Sequence, residues 1–398
     1  MKPFSLGDSQ FLLLDGATGS NLIAAGMPAG VCVEQWVLNN PQVLQTLQQN
    51  FLQAGTRVLT VSSFGANPQK LASYGLEEKT KEFNQNLATL TQVVAGTTAF
   101  VAGDVSPTGL FLEPMGDATF DDLCKVYDTQ ISALKEAGVD LLLIETQMTL
   151  ADARAALLCA NRYGLPALVT ITLEQGGKTL SGLSLAAAVV VLQAMGAVGV
   201  GLNCSCGPIS MAKALEEARP YAKVPLIAKP NAGEPGNPLS PADFGKAAAA
   251  LANSGACILG GCCGTTPDHI AALAKELTHY QPLPPKGDAD YLADERRVYE
   301  IPQEVISQSF DCDEDLMDNL MDIDEDTNLV VLHLSAPKEA ENLTDALPFC
   351  KLPLCFVSDD SQALEEAVKR YQGRAMVAGA GVTPTLCQTY GAIVKEMM

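Results

Sequence analysis

The sequence has no long hydrophobic run. No apolar stretch reaches the roughly 18 residues that a membrane-spanning helix needs. The first 16 residues, MKPFSLGDSQFLLLDG, hold a single lysine and an apolar run of only four residues, unlike a signal peptide. We therefore predict a cytoplasmic protein with no membrane partner.

Positive charge is also scarce. The 25 Lys and Arg residues face 46 Asp and Glu residues, which gives a formal net charge of −21. A nucleic-acid backbone would be repelled by such a surface, so we expect no nucleic-acid partner. The chain shows no P-loop, no GxGxxG motif and no evident Ser/His/Asp arrangement. A small-molecule ligand or a basic partner remains open.

Cysteine, by contrast, is frequent, with twelve in 398 residues. In a cytosolic chain they are expected to be reduced, and lone cysteines in apolar stretches (such as Cys124 and Cys159) are expected to pack in the core. The stretch LGGCCGTTPDH, residues 259–269, differs because it places two thiols side by side between glycines. Three interpretations are open: a vicinal disulfide, two packing residues, or two ligands of one soft metal ion.

Short apolar runs alternate with amphipathic segments up to about residue 280. Continuous apolar runs are typical of parallel strands buried on both faces. Eight such runs with helices between them predict a (β/α)8 barrel, the TIM-barrel fold. The predicted strands are residues 11–16, 57–65, 98–107, 139–146, 165–173, 197–204, 224–233 and 256–264.

Functional side chains of such a barrel collect where the strands end. The polar residues that close the predicted strands are Asp15, Ser62, Ser63, Asp104, Glu145, Asn203, Cys204, Lys229, Asn231, Cys262 and Cys263. Three of them are cysteines that converge on one mouth. Their composition suits Zn²⁺, and two adjacent cysteines with a third 58 positions earlier fit a three-ligand site whose fourth position is open.

The chain changes character after residue 282. We predict a barrel domain over residues 1–282, a Pro-rich linker over 283–310 and a small α/β unit over 311–398. Residues 311–326 carry nine acids and no base, which favours a solvated helix or loop. The rest of the unit reads as three strands and two helices, too few to close a second barrel.

Several stretches resemble a known family. GGCCGTTPDHI, the NC of GLNC and the opening LLLDGATGSNL are similar to those of the zinc-dependent homocysteine S-methyltransferases, and the resemblance covers about residues 8–280. Within that family the chain looks most like the homocysteine-binding barrel of cobalamin-dependent methionine synthase. FGANPQKLASYGLEEKTKEFN, GDVSPTGLFLEP, IET and KPNAG followed by PLSPADF carry this closer similarity.

The resemblance implies a set of site residues. Cys204, Cys262 and Cys263 would hold zinc, and the open position would take the thiol of homocysteine. Asp15 and Glu145 would bind the substrate ammonium, although each could instead cap the helix that follows its strand.

Three further positions also bear on the site. Ser63 is a further candidate substrate contact, and Ser62 stands where the family commonly has Asn. Cys206 is an additional thiol, interpreted as a bystander rather than a fourth ligand.

The resemblance also implies the reaction, a methyl transfer to homocysteine that yields methionine. Because the DxHxxG signature of corrinoid modules is absent, methylcobalamin would arrive on a separate corrinoid protein. S-methylmethionine or betaine as donor, another thiol as acceptor, and a non-catalytic zinc- or thiol-binding regulatory protein remain alternatives. The C-terminal unit resembles part of a pterin-binding barrel, without recognisable folate-binding residues.

Overall fold

A computed structural model describes residue 2 and residues 10–174, 176–179 and 181–395. Its larger part is a parallel barrel, as predicted. The sheet order is β1-β10-β7-β6-β5-β4-β3-β2, and a parallel bridge between Leu14 and Val58 joins its two ends. Counting the small hairpin β8–β9, the strands are β1 (Leu12–Leu13), β2 (Val58–Thr60), β3 (Phe100–Val105), β4 (Leu141–Gln147), β5 (Ala167–Ile171), β6 (Gly199–Asn203), β7 (Leu226–Lys229), β8 (Gly233–Glu234), β9 (Asn237–Pro238) and β10 (Ala256–Leu259).

Helices surround this barrel, and local sequence sets their ends. In the third helix Pro41 occupies the first turn, and Gly55, with φ +109°, follows the end. In the sixth, Thr119 and Asp122 form a capping box and Gly138 ends the helix in the left-handed region. The helices are α1 (Gly19–Ala24), α2 (Val33–Asn39), α3 (Pro41–Gln53), α4 (Pro68–Ala72), α5 (Thr80–Ala95), α6 (Phe120–Ala137), α7 (Leu150–Arg162), α8 (Leu185–Ala194), α9 (Pro208–Ala218), α10 (Pro241–Asn253) and α11 (Pro267–Leu277).

The barrel interior is divided into apolar and polar layers. One cluster of buried apolar side chains fills its lower part: Leu14, Val58, Ala102, Leu141, Leu143, Leu168, Ile227 and Ile258. Strand side chains alternate between the two faces, so residues two positions further along also point inward. At the carboxyl ends these are polar: Thr60, Asp104, Glu145, Thr170 and Lys229, all buried.

The C-terminal unit contains a second parallel sheet. Its five strands lie in chain order β13-β14-β15-β16-β17. Sequence analysis expected three strands here. It missed β13, whose side chains alternate between exposed and half-buried, and β17, which has only two residues. The elements are β13 (Ser307–Asp311), α12 (Leu316–Met321), β14 (Leu329–His333), α13 (Leu343–Ala346), β15 (Leu354–Val357), α14 (Ser361–Arg370), β16 (Met376–Ala378), α15 (Pro384–Tyr390) and β17 (Ile393–Val394).

The segment expected to be a linker takes part in this second unit. A hairpin of β11 (Tyr291–Ala293) and β12 (Val298–Glu300) lies within it, and β13 begins ahead of the boundary expected at residue 311. Leu292 and Tyr299 of the hairpin pack in one cluster with Cys355 and Met376 of the sheet. The division into domains stays a prediction.

A buried arginine joins the two units. Arg154 of α7 is fully buried and donates to the carbonyl oxygens of Val368 (2.6 Å) and Tyr371 (2.8 Å) at the end of α14. Its guanidinium also lies over the ring of Phe120, 5.4 Å from the centroid. Among the described helices, none is both long and apolar enough to cross a membrane.

Candidate metal and substrate site

Three cysteines meet at the carboxyl ends of the barrel strands. Cys204 follows β6, and Cys262 and Cys263 follow β10. Their sulfur atoms all lie within 4.8 Å of one another, and Cys204 Sγ is 3.8 Å from Cys263 Sγ. Cys263 is exposed, so the cluster is open to solvent on one side. All twelve cysteines are free thiols, which leaves the vicinal disulfide without support.

The backbone is bent to bring these thiols together. Cys204 and Ser205 have φ of +62° and +61°, a backbone region that residues other than glycine rarely occupy. On the other strand, a Cβ on Gly260 would lie 2.8 Å from the carbonyl oxygen of Asp15, and one on Gly261 would lie 2.3 Å from Thr265 Oγ1. Glycine is therefore required at these two positions because neighbouring atoms leave no room for a Cβ beneath the cysteine pair. Neither position has an unusual φ.

The cluster fits a zinc ion. Two sulfurs bound to zinc at about 2.3 Å and a tetrahedral angle lie about 3.8 Å apart, which is the Cys204–Cys263 separation. Hydrogen bonds from the thiols of Cys262 and Cys263 lower the pKa of Cys204 to about 3. Among the described residues, nothing donates to the buried amide oxygen of Asn231, and the Asn231 side chain contributes to the low pKa of Cys204. The site thus supplies soft ligands and a nearby orphan oxygen.

Asn203 connects Cys262 to the neighbouring strands by hydrogen bonds. Its amide oxygen accepts from Thr146 N and Thr170 Oγ1, both at 2.8 Å. Its amide nitrogen donates to Thr146 Oγ1 at 2.8 Å and lies 3.8 Å from Cys262 Sγ. The side chain is fully buried, so this network holds the thiol of Cys262 in one orientation.

Asp15 lies in the polar layer next to the cysteines. Its carboxylate accepts from Thr60 N and Thr60 Oγ1, both at 2.7 Å, so the contacts described for it link two strands and do not cap a helix. Burial raises the pKa of Asp15 to about 6, against the opposing charge of Lys229.

Glu145 forms a buried ion pair with Lys229 on β7. Burial raises the pKa of Glu145, and the Lys229 ammonium opposes the shift. Burial alone would lower the pKa of Lys229, but the charges of Glu145 and Asp15 outweigh it and raise that pKa. The Lys229 ammonium therefore neutralises part of the negative charge of the buried carboxyl groups in this layer.

Asp104 adds a third buried carboxyl group. Ser63 holds its backbone on both sides, because Ser63 Oγ donates to the Asp104 carbonyl (2.9 Å) and accepts from the Asp104 N–H (3.1 Å). The Ser63 hydroxyl is fully buried in these contacts, and its role as a substrate contact stays a prediction. Ser62, beside it, is also buried.

Sequence reasoning noticed Asp104, Lys229 and Asn231 only as strand ends and gave them no role. The available signal was spacing: Asp104 and Lys229 lie two residues after inward apolar residues of their strands. Whether Asp104 or Lys229 pairs with another charged side chain depends on the neighbouring strands. The spacing of residues within one strand cannot show this.

Cys206 lies apart from the metal-type cluster. It lines a neighbouring cavity of about 320 Å³ together with Leu202, Met211 and Glu234. Burial, and next the Glu234 charge, raise the pKa of Cys206 to about 11. This surrounding agrees with the interpretation as a bystander, which stays a prediction.

Comparison with known proteins supports the family resemblance. The family model described as homocysteine S-methyltransferase matches residues 12–277. Methionine synthase of Mycobacterium leprae (strain TN) is 30% identical over 286 residues, which cover 65% of this chain and 24% of that protein. The methionine synthase of Mycobacterium tuberculosis (strain H37Rv) is 29% identical over 291 residues, 67% of this chain and 24% of its own length. The chain thus spans about a quarter of these relatives.

Solved structures show the same barrel. The metallated form of the Escherichia coli homocysteine methyltransferase MmuM is 27% identical, with a TM-score of 0.59, and the match covers 67% of this chain and 96% of that one. Its oxidized form is 26% identical with the same TM-score, covering 67% and 95%.

Proposed function

This chain belongs to the homocysteine S-methyltransferase family, and on that premise we propose that it transfers a methyl group to the thiol of homocysteine, giving methionine, with the thiol activated by zinc. Cys204, Cys262 and Cys263 are the proposed zinc ligands. The observation that carries the proposal is the cluster of three sulfurs directly above a layer of buried carboxylates.

Different residues would bind the different groups of the amino-acid substrate. A zinc ion on the three sulfurs would act as a Lewis acid that lowers the pKa of the substrate thiol, so that it reacts as a thiolate. Asp15 and Glu145 lie at the same mouth and can accept hydrogen bonds from the substrate ammonium. Lys229 forms an ion pair with Glu145, and the amide nitrogen of Asn203 lies 3.8 Å from Cys262 Sγ. Together they orient the thiol towards the open side at Cys263.

A large methyl carrier suits the rim of this mouth. Exposed apolar side chains stand in the segments that follow five barrel strands: Ile23, Phe64, Phe111, Met115, Met148 and Ile209. Exposed apolar side chains at a rim can contact another protein surface. The donor we favour is methylcobalamin on a separate corrinoid protein, which the sequence resemblance to cobalamin-dependent methionine synthase supports.

A small donor is the second candidate. The solved MmuM structure is matched over 96% of its length, so a barrel of this size forms a complete homocysteine methyltransferase in that protein. S-methylmethionine or betaine would then reach the thiol directly, without a partner. A non-catalytic zinc- or thiol-binding protein is the remaining alternative.

Elemental analysis followed by homocysteine titration tests the proposal. We expect about one zinc per chain, release of about one proton when L-homocysteine binds, and methionine formation with one of the three donors. Zinc without proton release would contradict thiol activation. Proton release without turnover by any donor would favour the non-catalytic alternative. Absence of zinc after reduction and zinc addition would overturn the proposal.

A further inference from the structure

The polar layer of the barrel contains more acid than base. Asp15, Asp104 and Glu145 are all more than nine-tenths buried, and Lys229 is the ammonium buried among them. Glu145 is paired with Lys229, and Asp15 is bonded to Thr60. A buried carboxylate without a donor is unfavourable, so the third carboxyl group raises the question of what satisfies it.

Asp104 has no such donor within the part of the chain that the structure describes. Its Oδ1 is buried and without a hydrogen-bond partner. The second nearby ammonium, that of Lys70, is engaged elsewhere: it donates to Ser106 Oγ at 2.8 Å and lies 4.4 Å from the centre of the Phe64 ring. Asp104 therefore has one buried acceptor oxygen that none of the described residues uses.

The backbone aims this acceptor into the mouth. Phe100 and Ala102 of β3 belong to the interior cluster, so Asp104, two residues on, also points inward. Ser63 fixes the Asp104 N–H and carbonyl. The charges of Glu145, Lys229 and Asp15 all act on this carboxyl group, which places it among them.

We propose that Asp104 is a substrate-binding residue whose carboxylate accepts a hydrogen bond from the ammonium group of the bound amino-acid thiol. A substrate ammonium offers three N–H donors and one positive charge, which is what the layer lacks. Asp104 would thereby select thiols that carry an α-amino group over those that do not. This inference rests on the proposed function, since homocysteine is the thiol considered.

Calorimetric binding of two thiols to the zinc-loaded full chain tests it. L-homocysteine carries the ammonium, and 4-mercaptobutanoate is the same chain without it. We expect Asp104→Asn to weaken homocysteine roughly tenfold or more, the effect of losing a charged hydrogen bond, and to leave 4-mercaptobutanoate within about twofold. The control variant is Asp140→Asn, which changes a buried aspartate at the amino end of β4. It should bind both thiols as the wild type does.

A second readout does not need the metal. Because none of the described residues donates to Asp104 Oδ1, Asp104→Asn should leave the melting temperature of the metal-free chain unchanged or raise it. Asp104→Ser serves the binding test if Asp104→Asn fails to fold. Equal weakening of both thiols, or wild-type affinity for homocysteine in Asp104→Asn, would overturn the inference. Failure of the wild type to bind homocysteine would instead contradict the proposed function, and the inference with it.

Discussion

The two sheets of this protein have the same strand direction but treat their carboxyl ends differently. In the barrel, inward side chains become polar at the mouth, and Asp104 Oδ1 is buried there without a partner among the described residues. At the carboxyl ends of the C-terminal sheet, hydrogen bonds form within a loop and between loops: Ser358 Oγ accepts from Asp360 N at 3.0 Å, and Asp359 Oδ1 accepts from Ala380 N at 2.9 Å. In the described part of the chain, the buried side-chain atoms without a partner at these two edges, Asp104 Oδ1 and Asn231 Oδ1, belong to the barrel.

The inner faces differ as well. The closed barrel carries buried polar side chains and three thiols above its apolar layer. The five-stranded sheet is open, and the hairpin β11–β12 covers its inner face with Leu292 and Tyr299. The cysteine cluster and the buried carboxyl groups thus belong to the barrel, and the second unit packs against it.

The largest effect is expected at the cysteine cluster. Cys262→Ala removes one of three sulfurs that lie within 4.8 Å, so zinc content should fall to a small fraction of one per chain and methyl transfer should be lost. Circular dichroism should show a folded chain, because the side chain is at the rim of the barrel. Metal analysis and a turnover assay measure both outcomes.

Cys257→Ala is the matched control for that variant. Cys257 is a half-buried thiol of β10, and its Sγ donates to the carbonyl of Leu283 at 3.0 Å. It belongs to the same strand but stands outside the cluster, so zinc content and turnover should match the wild type. A zinc content of about one per chain in Cys262→Ala would show that Cys262 is not a zinc ligand. The contrast between the two sheets would then lose its main support.

A large effect on stability is expected where the two units meet. Arg154→Met would leave the carbonyl oxygens of Val368 and Tyr371 without their buried donor, and should lower the free energy of unfolding by about 4 kcal/mol. Homocysteine affinity should stay within about twofold. Arg162→Ala, in the exposed last turn of the same helix, is the control in urea unfolding. A loss of affinity in Arg154→Met alone would mean that the C-terminal unit shapes the site.

A somewhat smaller effect should appear in the pH dependence of the polar layer. Because burial raises the pKa of Asp15 from 3.8 to about 6, the folded chain holds this proton more tightly than the unfolded chain. Stability from this group is therefore greatest below about pH 4 and decreases by about 3 kcal/mol as the pH rises to about 6. Asp15→Asn should remove that part of the decrease in urea titrations of the metal-free chain. An unchanged pH profile would show that Asp15 does not titrate in this range.

The sequence allowed the barrel and its cysteine cluster to be predicted, for physical reasons. Buried parallel strands are apolar on both faces, so eight runs stood out, and GGCCG is too rich in glycine for an ordinary core segment. Strands β12 and β13 were missed because their side chains are partly exposed and carry no continuous apolar pattern, and β11 because it has only 3 residues. The pairing of Glu145 with Lys229 was missed because it joins residues 84 positions apart.

The smallest effect is expected at Cys206, which separates the metal cluster from its surroundings. This thiol lines the adjoining cavity with Met211 and Glu234, and its pKa is raised to about 11 by burial. Among the described residues, the sulfur atoms that lie within 4.8 Å of one another are those of Cys204, Cys262 and Cys263, and Cys206 is not in this group. We therefore expect Cys206→Ser to change zinc affinity, measured by competition with a chelator, by less than about twofold. A loss of zinc comparable with that in Cys262→Ala would make Cys206 a fourth ligand, and the site would then be closed to a substrate thiol.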